Sequence, residues 1–234
     1  MSALKHLALA IYNPVMHFYR RRFLGLSHQR QDAERTRQKW RLIEGELDTP
    51  PGSLLDIGCN EGYFALKAAE KGWCAWGIDR LGHTVAYADK KARDGRLSTA
   101  YFARGLMSPA TARTLPKFDV ILLLSAFHEI YQSFDEEDAY RLFDDLLKAC
   151  GRKLIFEPAS INNRYSRERA VLAKDNDRDA IEAWVRDLAS RSPGWHVRYV
   201  GETSYTADEP YRYMFVIESA AGSSAALPFT ETGP

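Results

Sequence analysis

The residues best suited to chemistry begin at Leu54, where the chain reads Leu54-Leu55-Asp56-Ile57-Gly58-Cys59-Asn60-Glu61-Gly62-Tyr63-Phe64. An apolar run ends in an acid, two glycines follow, and apolar residues then resume at helical spacing. Glycine has no Cβ, so a ligand can lie against the backbone of such a turn. A turn between a strand and a helix lies at the carboxyl end of a sheet, where open α/β sheets bind cofactors. Asp79 follows the next apolar run, Cys74 to Ile78. An acid in that position accepts hydrogen bonds from ribose hydroxyls in many nucleotide-binding folds. Gly58, Asn60 and Gly62 do not form Gly-x-Gly-x-x-Gly, which argues against a nicotinamide site.

The elements that must hold these residues alternate along the chain. Ser53 to Ile57 reads as a buried strand, Gly62 to Lys71 as a helix, Cys74 to Ile78 as a strand, Leu81 to Ala92 as a helix and Thr99 to Ala103 as a strand. Phe118 to Leu124 is apolar without interruption from Val120, the mark of a parallel strand buried on both faces. Asp135 to Cys150 is helical, with Leu142, Phe143, Leu146 and Leu147 on one side and Gly151 as its expected terminator. Lys153 to Phe156 is a strand, Asp177 to Ser190 a helix, and Trp195 to Val200 and Tyr211 to Glu218 two closing strands. Alternation predicts a doubly wound, Rossmann-like α/β fold. Its mostly parallel, seven-stranded sheet ends in an antiparallel edge hairpin. Residues 1–50 are expected to form a basic helical extension, 51–218 the ligand-binding domain, and 219–234 a flexible tail rich in Ala, Gly, Ser and Pro.

Composition sets the outer bounds. The chain has 234 residues, 45% of them hydrophobic and 27% charged, the balance of a globular protein. A formal net charge of +1 gives no bulk attraction to nucleic acid, leaving only local basic patches for that role. Cys59, Cys74 and Cys150 match neither a zinc spacing nor a disulfide framework, so no metal site is expected and a cytoplasmic setting is. No apolar run reaches the roughly 18 residues of a membrane span. The apolar stretch from Leu7 to Tyr12 stops at Asn13-Pro14 and carries its arginines on the C-terminal side, the reverse of a secretory signal. The extension holds Arg20, Arg21, Arg22, Arg30, Arg35, Arg37, Lys39 and Arg41, with Trp40 and Leu42 as apolar anchors. It is read first as a lid through which Arg37 or Trp40 reaches the ligand. The other readings are an anionic-polymer contact and a peripheral contact at the inner membrane surface.

The turn resembles motif I of class I S-adenosylmethionine-dependent methyltransferases, an acid-x-Gly-x-Gly-x-Gly pattern. Asp56, Gly58 and Gly62 match, and Asn60 replaces the middle glycine, a substitution that left-handed backbone tolerates. The resemblance runs from about residue 53 to 160 and implies S-adenosylmethionine as cofactor. It implies that Asp56 and Gly58 lie near the methionine part and that Asp79 holds the ribose. Cys59, Asn60, Tyr63, Phe64, Arg80, Leu124 and Ser125 complete the implied cofactor set. The acid or amide that the family often carries after its third strand is missing from Phe102-Ala103-Arg104-Gly105-Leu106-Met107, which leaves the adenine to backbone groups with Leu106 or Met107.

The same resemblance makes Leu124-Ser125-Ala126-Phe127-His128-Glu129-Ile130 the motif IV position, beside the transferring methyl. A sulfonium methyl is already electrophilic, so the enzyme mainly aligns its acceptor, and an alcohol acceptor also needs a base. His128 is the candidate base, with Glu129 orienting it or binding the acceptor. Glu157, ending the next strand, and Arg164, beside Arg167 and Arg169, are candidate acceptor contacts. Asp/Asn-Pro-Pro-Tyr/Phe, common in DNA N-methylating enzymes, is absent. The two motifs together are similar to sugar O-methyltransferases, including enzymes that cap O-antigen polysaccharide of lipopolysaccharide. The expected reaction is methyl transfer to a hydroxyl of a carbohydrate or polysaccharide. The alternatives are an RNA methyltransferase and a non-catalytic cofactor-binding subunit.

Overall fold

A computed structural model describes residues 33–47, 50–159, 178–204 and 211–219. Two compact units divide the chain at residues 1–39 and 40–234. The expectations placed on Arg20, Arg21, Arg22, Arg30, Arg164, Arg167, Arg169 and residues 220–234 lie outside the described residues.

Seven strands form one sheet in the order β3-β2-β1-β4-β5-β7-β6. They are β1 (Ser53–Ile57), β2 (Cys74–Asp79), β3 (Ala100–Arg104), β4 (Phe118–Leu124), β5 (Cys150–Glu157), β6 (Trp195–Ser204) and β7 (Tyr211–Ser219). Strands β1 to β5 pair in parallel, and β7 runs antiparallel to both β5 and β6. The expected antiparallel pair is therefore present, with the reversed strand one place in from the edge. The strand order reverses between β1 and β4, the switch point at which such sheets open a crevice at their carboxyl ends.

The helices are α1 (Ala33–Glu46), α2 (Tyr63–Glu70), α3 (Gly82–Asp94), α4 (Pro109–Arg113), α5 (Phe127–Ser133), α6 (Glu136–Ala149) and α7 (Arg178–Ser190). Burial explains their places. Leu142, Phe143, Leu146 and Leu147 of α6 join Ile121, Leu123, Leu154, Phe156, Phe215 and Ile217 in one core face. Trp40, Ile43, Ala65 and Ala68 join Leu54, Val120, Leu122, Ile155 and Val216 in the other. Leu42 is half-buried against that second face, where a Cβ on Gly201 would meet its Cδ2 at 2.8 Å.

Three local features depart from expectation. Gly151 does not end α6: Cys150 is already extended (φ −86°, ψ 127°), and Gly151 lies inside β5. A Cβ there would approach the Phe118 carbonyl oxygen at 3.2 Å, beside the register shift between Phe118 and Val120, so the glycine serves close backbone approach in a strand. Helix α4 begins where Ser108 Oγ accepts from the Thr111 N–H at 3.1 Å and Pro109 opens the first turn, a capping signal the apolar pattern hides. Helix α5 follows β4 after two residues, in a stretch read only as a strand end. By contrast α6 starts as its sequence dictates, with Asp135 accepting from the Asp138 N–H at 2.8 Å ahead of three acids in the first turn.

Candidate active site

The first half of the site, the turn after β1, is built mainly from backbone. Gly58, Asn60 and Gly62 have φ of 75°, 50° and 76°, so the turn uses the left-handed region at every second residue, Asn60 included. The Gly58 and Cys59 N–H groups donate to the Ile78 carbonyl at 2.8 and 3.1 Å and tie the turn to the end of β2. Asp79 completes the tie: its Oδ2 accepts from the Asn60 N–H at 2.9 Å and its Oδ1 from the Leu81 N–H at 2.8 Å. Each carboxylate oxygen keeps a second lone pair for a ligand hydroxyl. Gly62 is required for space as well as for φ, because a Cβ there would meet the Phe102 ring at 2.6 Å and Ala88 at 2.7 Å. Phe102 is thus the floor of the turn, a role the sequence reading missed. Gly77, whose Cβ would also strike that ring at 2.6 Å, was the available sign of it.

Asp56 ends up 2% exposed beneath this turn, and its Oδ2 has no hydrogen-bond partner. Burial pushes its carboxyl up to about 7, the nearby Asp79 adds to the rise, and the Ala65 N–H opposes it. An unmatched buried acceptor of this kind suits an ammonium group, such as that of a bound aminocarboxylate. Cys59 is a packing residue beneath the turn: burial, with Asp56 and Asp79 close by, raises its thiol pKa and keeps it protonated. Tyr63 and Phe64 open α2 as an edge-to-face pair 5.4 Å apart. Of the two residues considered for adenine, Met107 is buried in the core and Leu106 is exposed after β3.

The second half, after β4, is built from side chains. Leu124 closes β4, and Ser125 then adopts φ 54°, rare for a residue with a Cβ. Ala126 follows, its Cβ 3.0 Å from where a Cβ on Gly58 would stand, so the two halves touch at this point. Phe127 anchors α5 edge-to-face on Phe143 and Phe156, at 5.4 and 5.7 Å. His128 lies on the inner side of α5, 7% exposed. Glu129 points elsewhere, as neighbours on a helix must, and pairs with Arg80 at 3.2 Å across the crevice mouth. Desolvation raises the Glu129 carboxyl pKa, Arg80 opposes this, and Asp79 adds to it.

Glu157 is fully buried and lies 3.7 Å from Arg212, itself 1% exposed. Both meet Ser125, whose hydroxyl donates to Glu157 Oε1 and accepts from Arg212 Nη1 at 2.6 Å. Arg212 was missed from sequence. Its sign was an arginine in step with Met214 and Val216 on the inward positions of an apolar strand. Arg164 lies outside the described residues. Arg37 pairs with Glu34 at 2.6 Å within its own helix, and Trp40 is buried in the core.

Among the described residues no group of three or more His, Cys, Asp or Glu is disposed to hold a metal ion. Among them, too, no helix is long and apolar enough to cross a membrane.

Comparison with known proteins fits this geometry. Residues 55–155 match a family described as "Methyltransferase domain". No curated protein sequence matches the chain. Among solved structures, the bifunctional kinase-methyltransferase WbdD superposes with a TM-score of 0.66 at 23% identity, over 82% of this chain and 42% of that one. The chain therefore spans less than half the length of that relative. Magnesium protoporphyrin IX methyltransferase (ChlM) from Synechocystis PCC 6803, with bound SAM, gives 0.57 at 19% identity over 88% and 96% of the two chains. The orphaned Asp56 oxygen, the doubly anchored Asp79 and the left-handed turn fit such a donor. Residues 55–155 thus resemble a methyltransferase domain, on a fold shared with those solved methyltransferase structures.

Proposed function

We propose that the chain transfers a methyl group to a hydroxyl of a carbohydrate, such as the terminus of a polysaccharide, with His128 as general base. The observation that carries this reading is the seam between the halves, where Ala126 abuts Gly58 and α5 brings His128 in one residue beyond Phe127. The bound cofactor supplies an electrophilic methyl on a sulfonium. Asp56 would take up the ammonium of its methionine part, Asp79 its ribose hydroxyls, and the Gly58–Gly62 backbone would line its body. His128 would accept the proton that the acceptor hydroxyl must lose on methylation. Glu129 is half-exposed at the crevice mouth and can meet an acceptor once Arg80 is displaced. The motif resemblance to sugar O-methyltransferases supports the carbohydrate assignment, and an imidazole suits an oxygen acceptor because a hydroxyl must lose its proton. Glu157, sealed against Arg212, is not a direct acceptor contact in this reading.

The test is methyl incorporation from labelled cofactor into glycan and RNA pools offered side by side. Label in glycan supports the reading, and label in RNA alone replaces it. Cofactor binding with no turnover on any acceptor makes the chain a non-catalytic subunit. On the true acceptor, His128→Ala is expected to slow turnover by about 10²–10⁴-fold. Unchanged turnover removes His128 as the base.

A further inference from the structure

Among the described residues, Ser125 is the only non-glycine residue at the tip of a strand with a left-handed backbone outside the Gly58–Gly62 turn; Arg96, also left-handed, lies two residues beyond α3. Left-handed backbone at a residue with a Cβ is strained and persists where its surroundings hold it. The surroundings here are specific. The Ser125 N–H donates to the Glu157 carbonyl at 2.9 Å. Its hydroxyl uses its one proton on the Glu157 carboxylate and takes a hydrogen bond from Arg212 at 2.6 Å. Glu157 and Arg212 are both sequestered, at 0% and 1% side-chain exposure, and each offsets the charge of the other. Two buried charges, on β5 and β7, thus both hydrogen-bond the residue that turns the chain at the end of β4.

That turn decides where α5 begins. Immediately after Ser125, Ala126 lies close against Gly58, its Cβ 3.0 Å from where a Cβ there would stand, and two residues later comes His128. We propose that Arg212 and Glu157 are positioning residues: they hold Ser125 in its left-handed turn and so seat α5, with His128, against the cofactor turn. In this proposal the pair acts through Ser125. If the turn relaxes toward ordinary backbone, Ala126 leaves Gly58 and both halves of the site loosen together. The inference rests on the reading of α5 as the acceptor side.

The experiment uses the full chain and S-adenosylmethionine as the probe, with affinity measured by calorimetry and folding by thermal denaturation. Arg212→Lys keeps the charge and loses the guanidinium geometry, and is expected to weaken cofactor binding at least tenfold. Adding Ser125→Gly to it supplies a residue for which the left-handed turn needs no support, and should recover at least threefold of that loss. The His128 imidazole resonance, assigned by its disappearance in His128→Asn, should shift in Arg212→Lys and move back in the double variant. Should Arg212→Lys fail to fold, Ser125→Ala and Ser125→Gly carry the test, since both leave the Arg212–Glu157 pair in place. Ser125→Gly is then expected to bind at least threefold more tightly than Ser125→Ala. A lowered melting temperature with parental affinity and an unmoved imidazole signal overturns the proposal, as does a glycine that rescues neither background. None of these readouts needs an acceptor, so a failed glycan assay removes the preceding reading and leaves this test standing.

Discussion

The two halves of the crevice solve the same problem with opposite materials. On the donor side, charge is handled by main chain: Asp79 is held by two backbone N–H groups, and the turn is tied to β2 through the Ile78 carbonyl. Asp56, by contrast, keeps one oxygen unmatched. On the acceptor side, charge is handled by side chains from separate strands: Glu157 by Arg212 and Ser125, and Glu129 by Arg80. The difference is between a turn tied down by main chain and a buried charge network tied down by side chains. Backbone donors recur wherever the turn recurs, whereas a side-chain network must be assembled from residues far apart in sequence.

The sharpest way to break the donor half is to give the turn a branched side chain. Gly62→Val adds a β-branched residue at φ 76°, with its Cβ 2.6 Å from the Phe102 ring. Left-handed strain of about 2 kcal/mol and overpacking of about 3 kcal/mol should together leave the chain largely unfolded in a denaturant titration. Calorimetry should detect no cofactor binding.

The acceptor half breaks by a different rule. Glu157→Met strands the Arg212 guanidinium in the sheet and should cost about 3–5 kcal/mol of stability. Glu157→Met together with Arg212→Met replaces both charges with apolar volume and should regain most of that loss in urea denaturation. A double variant as unstable as the sum of the single ones would show that the network stabilises the fold beyond neutralising its own charges.

Between these lies the titration of Asp56. The unfolded chain releases this proton near the usual aspartate value of about 4, and the folded chain near 7. Between the two the native state holds a proton that the unfolded state lacks. Stability should therefore fall by a few kcal/mol as pH rises from about 4 to about 7, and stay level above that. Asp56→Asn should flatten this part of the profile, leaving the variant more stable than the parent at pH 8. Cofactor affinity should do the reverse in the parent, tightening as pH rises through about 7, because an ammonium favours the ionised carboxylate. Calorimetry in buffers of different ionisation enthalpy should show proton release on binding near pH 6. A binding constant flat across this range would remove Asp56 from the ammonium contact.

The contrast also explains what could be read from the sequence. The elements around the turn were legible because each follows from a local pattern: an apolar strand, a glycine turn, helical spacing, an acid at the next strand end. Asp56, Gly58, Gly62 and Asp79 are adjacent to the features that announce them. Helix α5 was not legible because Phe127, Ile130 and Tyr131 are buried by α6 and β5 rather than by a long apolar stripe of their own, and seven residues show little periodicity. Arg212 was not legible because its partner is 55 positions away, and the meaning of an inward arginine depends on which strand is inserted between β5 and β6. Gly151 misled because a glycine after a helix and a glycine opening a strand look alike until the register at Phe118 is known.

The smallest expected effect lies where the halves meet solvent. Arg80 and Glu129 pair between the segments that follow β2 and β4, and both side chains are about half exposed. An exposed pair gains little, since water screens it and two long side chains must be ordered to make it. Glu129→Gln should therefore change stability by less than about 1 kcal/mol, and 1 M salt should erase the difference from the parent. The informative measurement is kinetic. Arg80 follows Asp79, the proposed ribose contact, and Glu129 follows the candidate base, so in the proposed reading the pair would close over a bound cofactor. Glu129→Gln should speed cofactor dissociation in stopped-flow, and high salt should speed the parent to match. If the off-rate stays put while stability shifts by the same small amount, the pair is ordinary surface charge, and the two halves are joined only at Gly58 and Ala126.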